Sequence, residues 1–475
     1  MNKTATDNNS TILKFSLLAS AFLFLTLIAW SFSGPLVSGY DSTFHMSNIW
    51  CARGSRPGIC ENISTINEVT RADVPAVLAS ESKNKMFNAE LSDTSRKSPF
   101  YSIMNLFVSK NATESVILIR MFNSFLASLI FFALLYFGNF KSRVAVISSW
   151  TFTITPIIVS TLWQLNPRSW GYLSVMSSWA LLYIALNDGE SKKFRKICLW
   201  TAFVFSVLLA FTSRMDASFF CIFTCGIVLL IHLLSNNFLK TKTVGMVAII
   251  SLPAFLLLRI FSSSVQWYTQ FSFNSIFSNR QTLFVLVHLP ENIAHSLGLG
   301  LRYTELGPNS LGIFGIVLFS ISISSWLKEG NAIQMTATTA IFAFMLLSMF
   351  QIAFYWPEAN QASGVYVAAL LTVCLGVASV YSHKQIYFPS TMNQKAIVIL
   401  LISACHALTL YSKFDWSVRA SVANDSYTKL SLNGGWWWNS PIGPNIVFLV
   451  GAIAFPAWLV VSWSVVPQIP TEVSS

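Results

Sequence analysis

Charge is what this 475-residue chain has least of. Lys, Arg, Asp and Glu together make up 10% of it, against about a quarter of an average soluble domain. So few charges cannot cover the surface of a soluble protein of this size. The formal balance is +11, but the basic residues gather into no single face or tail, so nucleic acid is not expected as a partner. No Walker loop, no Gly-x-Ser-x-Gly elbow, no Cys-x-x-Cys or Cys/His zinc spacing and no internal repeat occurs. These gaps argue against the common nucleotide, serine-nucleophile and zinc chemistries, and against an inverted-repeat transporter.

What the chain has is apolar length. Hydrophobic residues are 54% of it and aromatics 14%, with a mean hydropathy of +0.58. A helix crosses the roughly 30 Å hydrocarbon core in about 20 apolar residues, and the alternative, a closed barrel, would show alternating strands instead. The long continuous runs predict an all-α polytopic bundle of about 12 spans. They lie near 12–33, 116–138, 144–163, 171–187, 197–212, 218–234, 244–261, 310–327, 335–354, 363–382, 397–412 and 441–464.

Loops after the even-numbered spans carry Lys141 and Arg143, then Lys192, Lys193, Arg195 and Lys196, then Lys240 and Lys242, Lys328, Lys384 and Lys395. The positive-inside rule therefore predicts that both termini are cytoplasmic. The first span lacks an Ala-x-Ala-like cleavage site and reads as an uncleaved signal anchor. The chain divides into an N-terminus with the first span (1–33), an extracytoplasmic loop (34–115), spans two to seven (116–261), an interfacial or extracytoplasmic segment (262–309), and spans eight to twelve (310–475) with an outer loop at 413–440. The first loop, with eight basic and eight acidic residues, is expected to form a small helical cap. Cys51 and Cys60 both fall in it, where an oxidising compartment permits a disulfide.

Ionisable groups are costly at membrane depth, so their placement is informative. On this topology Asp41, His45, Arg120, Arg168, Arg214, Asp216, Arg259 and Glu358 all sit at the outer boundary. GPLVSGYDSTFHMSNIW puts Asp41 and His45 four apart, on one face of a helix leaving the membrane. Two readings fit: Asp41 as general base on a sugar hydroxyl with His45 binding phosphate or tuning that base, or Asp41 as a helix cap. In FTSRMDAS, Arg214 is suited to a lipid phosphate through its planar fork of donors, or it pairs with Asp216. QLNPRSWGY offers Asn166 and Arg168, the latter as a phosphate contact or a snorkelling interfacial residue. HSLGLGLRYTELGP brings His295, Arg302 and Glu305 to a Gly-rich turn, and Glu358 lies at the outer mouth between spans nine and ten. His406, inside span eleven, reads as a core histidine.

VSGYDSTFHMSNIWCARGSRPGICE resembles the first outer loop of a family of bacterial polytopic membrane proteins, long called a domain of unknown function, in which the loop reads Pro-Asp-Glu-x-x-His before an Ile-Trp-Cys-Ala-like stretch. QLNPRSWGY, FTSRMDAS, LGLGLRYTELGP, QASGVY and HALTLYSKFDWSVRA follow in that family's order, so the resemblance spans essentially the whole chain. The family is similar to the GT-C superfamily of integral membrane glycosyltransferases. The resemblance implies a bacterial plasma-membrane enzyme that takes a sugar from a polyprenyl-phosphate donor and places it on a glycan or glycolipid acceptor at the outer leaflet. The family's Asp falls on Asp41 and its His on His45. Ser42 replaces the adjacent Glu, so a possible divalent cation loses a carboxylate, and Val365 replaces an Arg, so donor phosphate would lean on Arg214, Arg168 or Arg302. Asp216, Asn166, Glu305 and Glu358 would line the substrate. The rival readings are a transporter or flippase of a lipid-linked sugar and a non-catalytic membrane partner of a polysaccharide assembly system.

Overall fold

The structure, a computed structural model, describes residues 3–37, 42–66, 69–75, 78, 86–91, 98–188, 193–235, 367–381, 392–420, 436 and 442–466. The spans expected near 244–261, 310–327 and 335–354, and the segment 262–309, lie outside the described residues.

Among the described residues the protein is mostly helical, and five helical stretches are long and apolar enough to cross a membrane: Ser10–Ser33, Ala112–Phe137, Lys193–Ser213, Met392–Asp415 and Pro444–Ser464. They belong to α1 (Lys3–Ser33), α4 (Ala112–Phe137), α8 (Lys193–Ser213), α11 (Met392–Ala420) and α12 (Pro444–Ser464). Between them run α5 (Phe140–Thr153), α6 (Pro156–Leu162), α7 (Arg168–Asn187), α9 (Met215–Ser235) and α10 (Val367–Tyr381). Apolar helices in lipid gain little from hydrophobic burial against each other, so close approach and small polar contacts decide which faces meet. A Cβ on Gly451 of α12 would come within 2.6 Å of Ala29 on α1 and of Leu410 on α11. The hydroxyls of Thr153 and Thr372 join α5 to α10 at 2.7 Å, and those of Ser177 and Ser206 join α7 to α8 at 2.8 Å. Nearly every side chain from Ser169 to Ala185 of α7 is buried. Such a helix, covered on all sides, lies inside the bundle. It packs on α4, α8, α9 and α10.

The single span expected over 144–163 is corrected to two helices. Pro156 disfavours helical geometry in the residue before it. Thr155 is accordingly extended, and its hydroxyl caps α6 by accepting from the backbone N–H of Ile158, with Pro156 in the first turn.

The expected helical cap is corrected as well. Residues of the 34–115 segment form α2 (Ser42–Cys51), three strands, and the short helix α3 (Pro99–Met104) followed by a 3-10 turn, Asn105–Phe107. Strands β1 (Glu61–Ile66), β2 (Val69–Pro75) and β3 (Met86–Leu91) make an antiparallel meander in sequence order. Its pattern is alternation: Thr70, Ala72 and Val74 of β2 are buried, as are Ala89 and Leu91 of β3, which is the period of a sheet with one covered face. That sheet packs on α2. On β2, the Asp73 carboxylate accepts from the side-chain amides of Asn62 (2.8 Å) and Asn88 (3.0 Å), which hold it below its ordinary pKa. The expected disulfide is present: Cys51, ending α2, is bonded to Cys60 beside β1, with Cα atoms 5.3 Å apart.

Arg120, expected where α4 opens, lies two turns inside it and is 1% exposed. Its guanidinium donates to the carbonyls of Ser31 (2.8 Å), Gly34 (3.1 Å), Pro35 (2.6 Å) and Leu36 (3.1 Å). A helix end leaves carbonyls without partners, and a five-donor side chain can serve several of them at once. Arg120→Leu should destabilise the protein by roughly 3 kcal/mol or more, since buried polar groups lose their partner, and Arg120→Lys should recover only part of it. Chemical denaturation in detergent measures both. Gly376→Ala would put a Cβ 2.1 Å from the Trp179 ring. A lowered thermal midpoint is expected, with α7 and α10 forced apart.

Candidate functional site

Four side chains from the candidate list or beside it gather at the end of the bundle where α1 gives way to α2. His45 lies one turn into α2, which begins immediately after Asp41 in the chain. Its Nδ1 is 2.7 Å from the Tyr101 hydroxyl of α3, and the two rings lie edge to edge with their planes 18° apart and centroids 6.1 Å apart. Both rings are buried. Arg214 and Arg168 lie close enough for their charges to act on the imidazole.

The short helix α3 brings these elements together. Pro99 in its first turn pre-sets helical geometry. Ser98 donates its hydroxyl to the Thr212 carbonyl at 3.0 Å, which ties α3 to the end of α8 two residues before Arg214. Phe100 meets Trp170 of α7 edge to face at 4.9 Å, two residues beyond Arg168. Asn105, just past α3, donates to the Ile49 and Trp50 carbonyls at the end of α2. So α3 touches the carriers of His45, Arg168 and Arg214 at once.

Arg168 itself is delivered by a braced turn. Asn166 accepts from the Arg168 backbone N–H through Oδ1 at 2.9 Å. Asn123 of α4 donates to the Gln164 carbonyl (2.7 Å) and accepts from the Trp170 indole N–H (3.0 Å). Asn166 is 4% exposed, so its side-chain oxygen serves the turn. Pro167 precedes α7 as its N-cap residue.

Burial first, then the charges of Arg214 and Arg168, push the His45 pKa down to about 3. At neutral pH the ring is uncharged. What remains open to it is hydrogen bonding with one N–H and one lone pair. Burial raises the Tyr101 hydroxyl above its ordinary range while Arg214 opposes that rise, so the phenol stays protonated. The charge in this place is thus supplied by two guanidiniums, both half-buried, in a setting where Coulomb attraction is stronger than in bulk water.

Asp41, Arg302, Glu305 and Glu358 lie outside the described residues. Asp216 falls in the first turn of α9. Among the described residues no group of three or more His, Cys, Asp and Glu is placed to hold a metal ion. His406 is a core residue as expected: its Nε2 donates to the Ile154 carbonyl at 2.8 Å and its ring stacks on Phe455 at 3.7 Å. Tyr101 was not among the residues singled out from sequence. Its only local sign is the Ser-Pro pair that opens α3.

Comparison with protein-family models, with curated proteins and with solved structures finds no match to this chain. The geometry has to carry the functional argument.

The depressed His45 pKa has a consequence for stability. An unfolded His takes up a proton near pH 6.5 that the folded site refuses until about pH 3, so the unfolded state gains relative to the native one as pH falls through that window. The loss should approach about 3 kcal/mol between about pH 7 and about pH 4. Denaturation midpoints followed across that range should show a slope that His45→Gln reduces. An unchanged slope would mean that His45 takes up its proton at the same pH in the folded and unfolded protein.

Proposed function

We propose that this membrane protein is a GT-C-type glycosyltransferase that moves a sugar from a polyprenyl-phosphate donor to a glycan or glycolipid acceptor at the outer leaflet of the bacterial plasma membrane. The observation that carries the reading is the convergence of Arg168, Arg214, His45 and Tyr101 beside the start of α2. Two cations brought to one place suit an anionic ligand, and Asp41 directly precedes in the chain the helix that bears His45.

In this reading Asp41 removes the proton from an acceptor hydroxyl as that oxygen bonds to the anomeric carbon. The bond from that carbon to the phosphate oxygen breaks with its electron pair, and Arg168 and Arg214 stabilise the charge that grows on the phosphate. One carboxylate in this role gives a single displacement with inversion at the anomeric carbon. Arg302, Glu305, Glu358 and Asp216 complete the proposed substrate surroundings, while Asn166 braces the turn that delivers Arg168. Ser42 beside Asp41 offers no second carboxylate to a divalent cation, so any such ion would depend on residues from elsewhere in the chain.

The test uses purified protein with polyprenyl-phosphate-linked sugars and glycan acceptors. Transfer is expected, with Asp41→Asn lowering kcat by about 100-fold or more, as loss of a general base does. Arg214→Gln should act on the same step, because it removes charge that the leaving phosphate needs. Full transfer by Asp41→Asn would overturn the assignment of the base. Movement of intact lipid-linked sugar across vesicles, without transfer, would favour a flippase instead.

A further inference from the structure

His45 and Tyr101 share one hydrogen bond, and its direction decides what the imidazole offers to a ligand. A neutral imidazole carries a single N–H, so whichever ring nitrogen faces Tyr101 sets the character of the other. The phenol can donate or accept. Arg214 can only donate, because a guanidinium has no lone pair to give. Arg214 follows two residues after the Thr212 carbonyl that accepts from Ser98 at 3.0 Å, and its charge is felt at both Tyr101 and His45. A nearby cation draws the lone pairs of the Tyr101 oxygen toward itself, which turns the hydroxyl proton toward His45 Nδ1 at 2.7 Å.

We propose that Tyr101 is a positioning residue that donates to His45 Nδ1 and so locks His45 in the neutral form protonated at Nε2, giving the site beside Arg168 and Arg214 an uncharged third donor for a phosphate oxygen. The inference rests, in its ligand, on reading that place as a phosphate site. Its tautomer does not depend on transferase activity at all. The lock has good mechanical support: Tyr101 is 3% exposed, its ring plane is within 18° of the imidazole plane, and α3 is fixed to α7 through Phe100 and Trp170 at 4.9 Å. Fixing the donor beforehand spares the site a proton rearrangement when ligand arrives.

The experiment is a long-range proton–nitrogen spectrum of the full-length protein in detergent, with its six histidines labelled with nitrogen-15 and His45 assigned through His45→Gln. His406 supplies an internal reference, because its Nε2 faces a carbonyl and must carry the proton. The wild-type His45 pattern should match the form protonated at Nε2. In Tyr101→Phe, which keeps the ring and removes the hydroxyl, the His45 signals should move toward a mixture of the two neutral forms while those of His406 stay in place. A wild-type pattern of the Nδ1-protonated form, or a Tyr101→Phe pattern identical to wild type, would overturn the proposal.

A polyprenyl monophosphate and inorganic phosphate, added separately, test the ligand. A shift of the His45 Nε2 signal with either supports a phosphate partner, and the ligand that saturates at lower concentration identifies its source. Arg168→Gln and Arg214→Gln should each weaken that saturation by about tenfold, the loss of one charge-assisted contact. If the tautomer holds and neither ligand moves the signal, the phosphate role is overturned along with the phosphate-site reading, while a lost tautomer strikes the Tyr101 lock alone.

Discussion

Much of this structure depends on one buried cation meeting one helix end. Arg120 satisfies carbonyls from Ser31 to Leu36 where α1 stops, in a setting where water is not there to do so. Its guanidinium also lies 4.8 Å from the centre of the Trp163 ring, and the Lys413 ammonium approaches the same ring at 5.1 Å. One turn along α4, Asn123 braces the turn that leads to Arg168. Residues three apart share a helix face. That single face of α4 therefore governs both where the chain leaves α1 toward Asp41 and where Arg168 enters the site.

The opposite end of α4 is held by the same chemistry. Arg143 donates to the Leu135 carbonyl at 2.8 Å and Arg195 to the Phe137 carbonyl at 2.9 Å. Cations at a helix C-terminus meet its unpaired carbonyls and the negative end of its dipole. Both residues were read from sequence as markers of the cytoplasmic side. The structure shows that they also fasten α4, so a residue that reports topology can carry a packing role as well. With both ends fixed, α4 is a rigid rail beside α1 and α7, and the candidate site sits at one end of it.

How much was legible varied with how local the signal was. Long apolar runs gave the membrane class and placed α4, α8, α9 and α12 within a few residues, because twenty consecutive apolar residues leave little choice of structure. The disulfide was legible because two cysteines alone share one polar loop. Pro156 carried the break between α5 and α6, but it was outweighed by the apolar run around it. The sheet was missed because its covered face is spelled by only a few residues, Thr70, Ala72 and Val74, interleaved with the charged Arg71 and Asp73. In a segment with balanced charge, that short alternation resembles a solvated loop. His45, Arg168 and Arg214 were found by their cost at a membrane boundary; Tyr101 carries no such cost and was invisible without its partner.

The sequence by itself determined that this is a membrane protein built largely of apolar helices, since the physics of lipid acts on composition and run length. It also supplied the chemistry of the candidate residues. Their company was decided by the tertiary structure. Residues 45, 101, 168 and 214 meet because Ser98, Phe100 and Asn105 around α3 reach three other helices, and no sequence spacing records those contacts. The charge state of His45 was decided there too: an imidazole that would titrate near neutrality in water is kept neutral by burial and by two arginines that lie far from it along the chain.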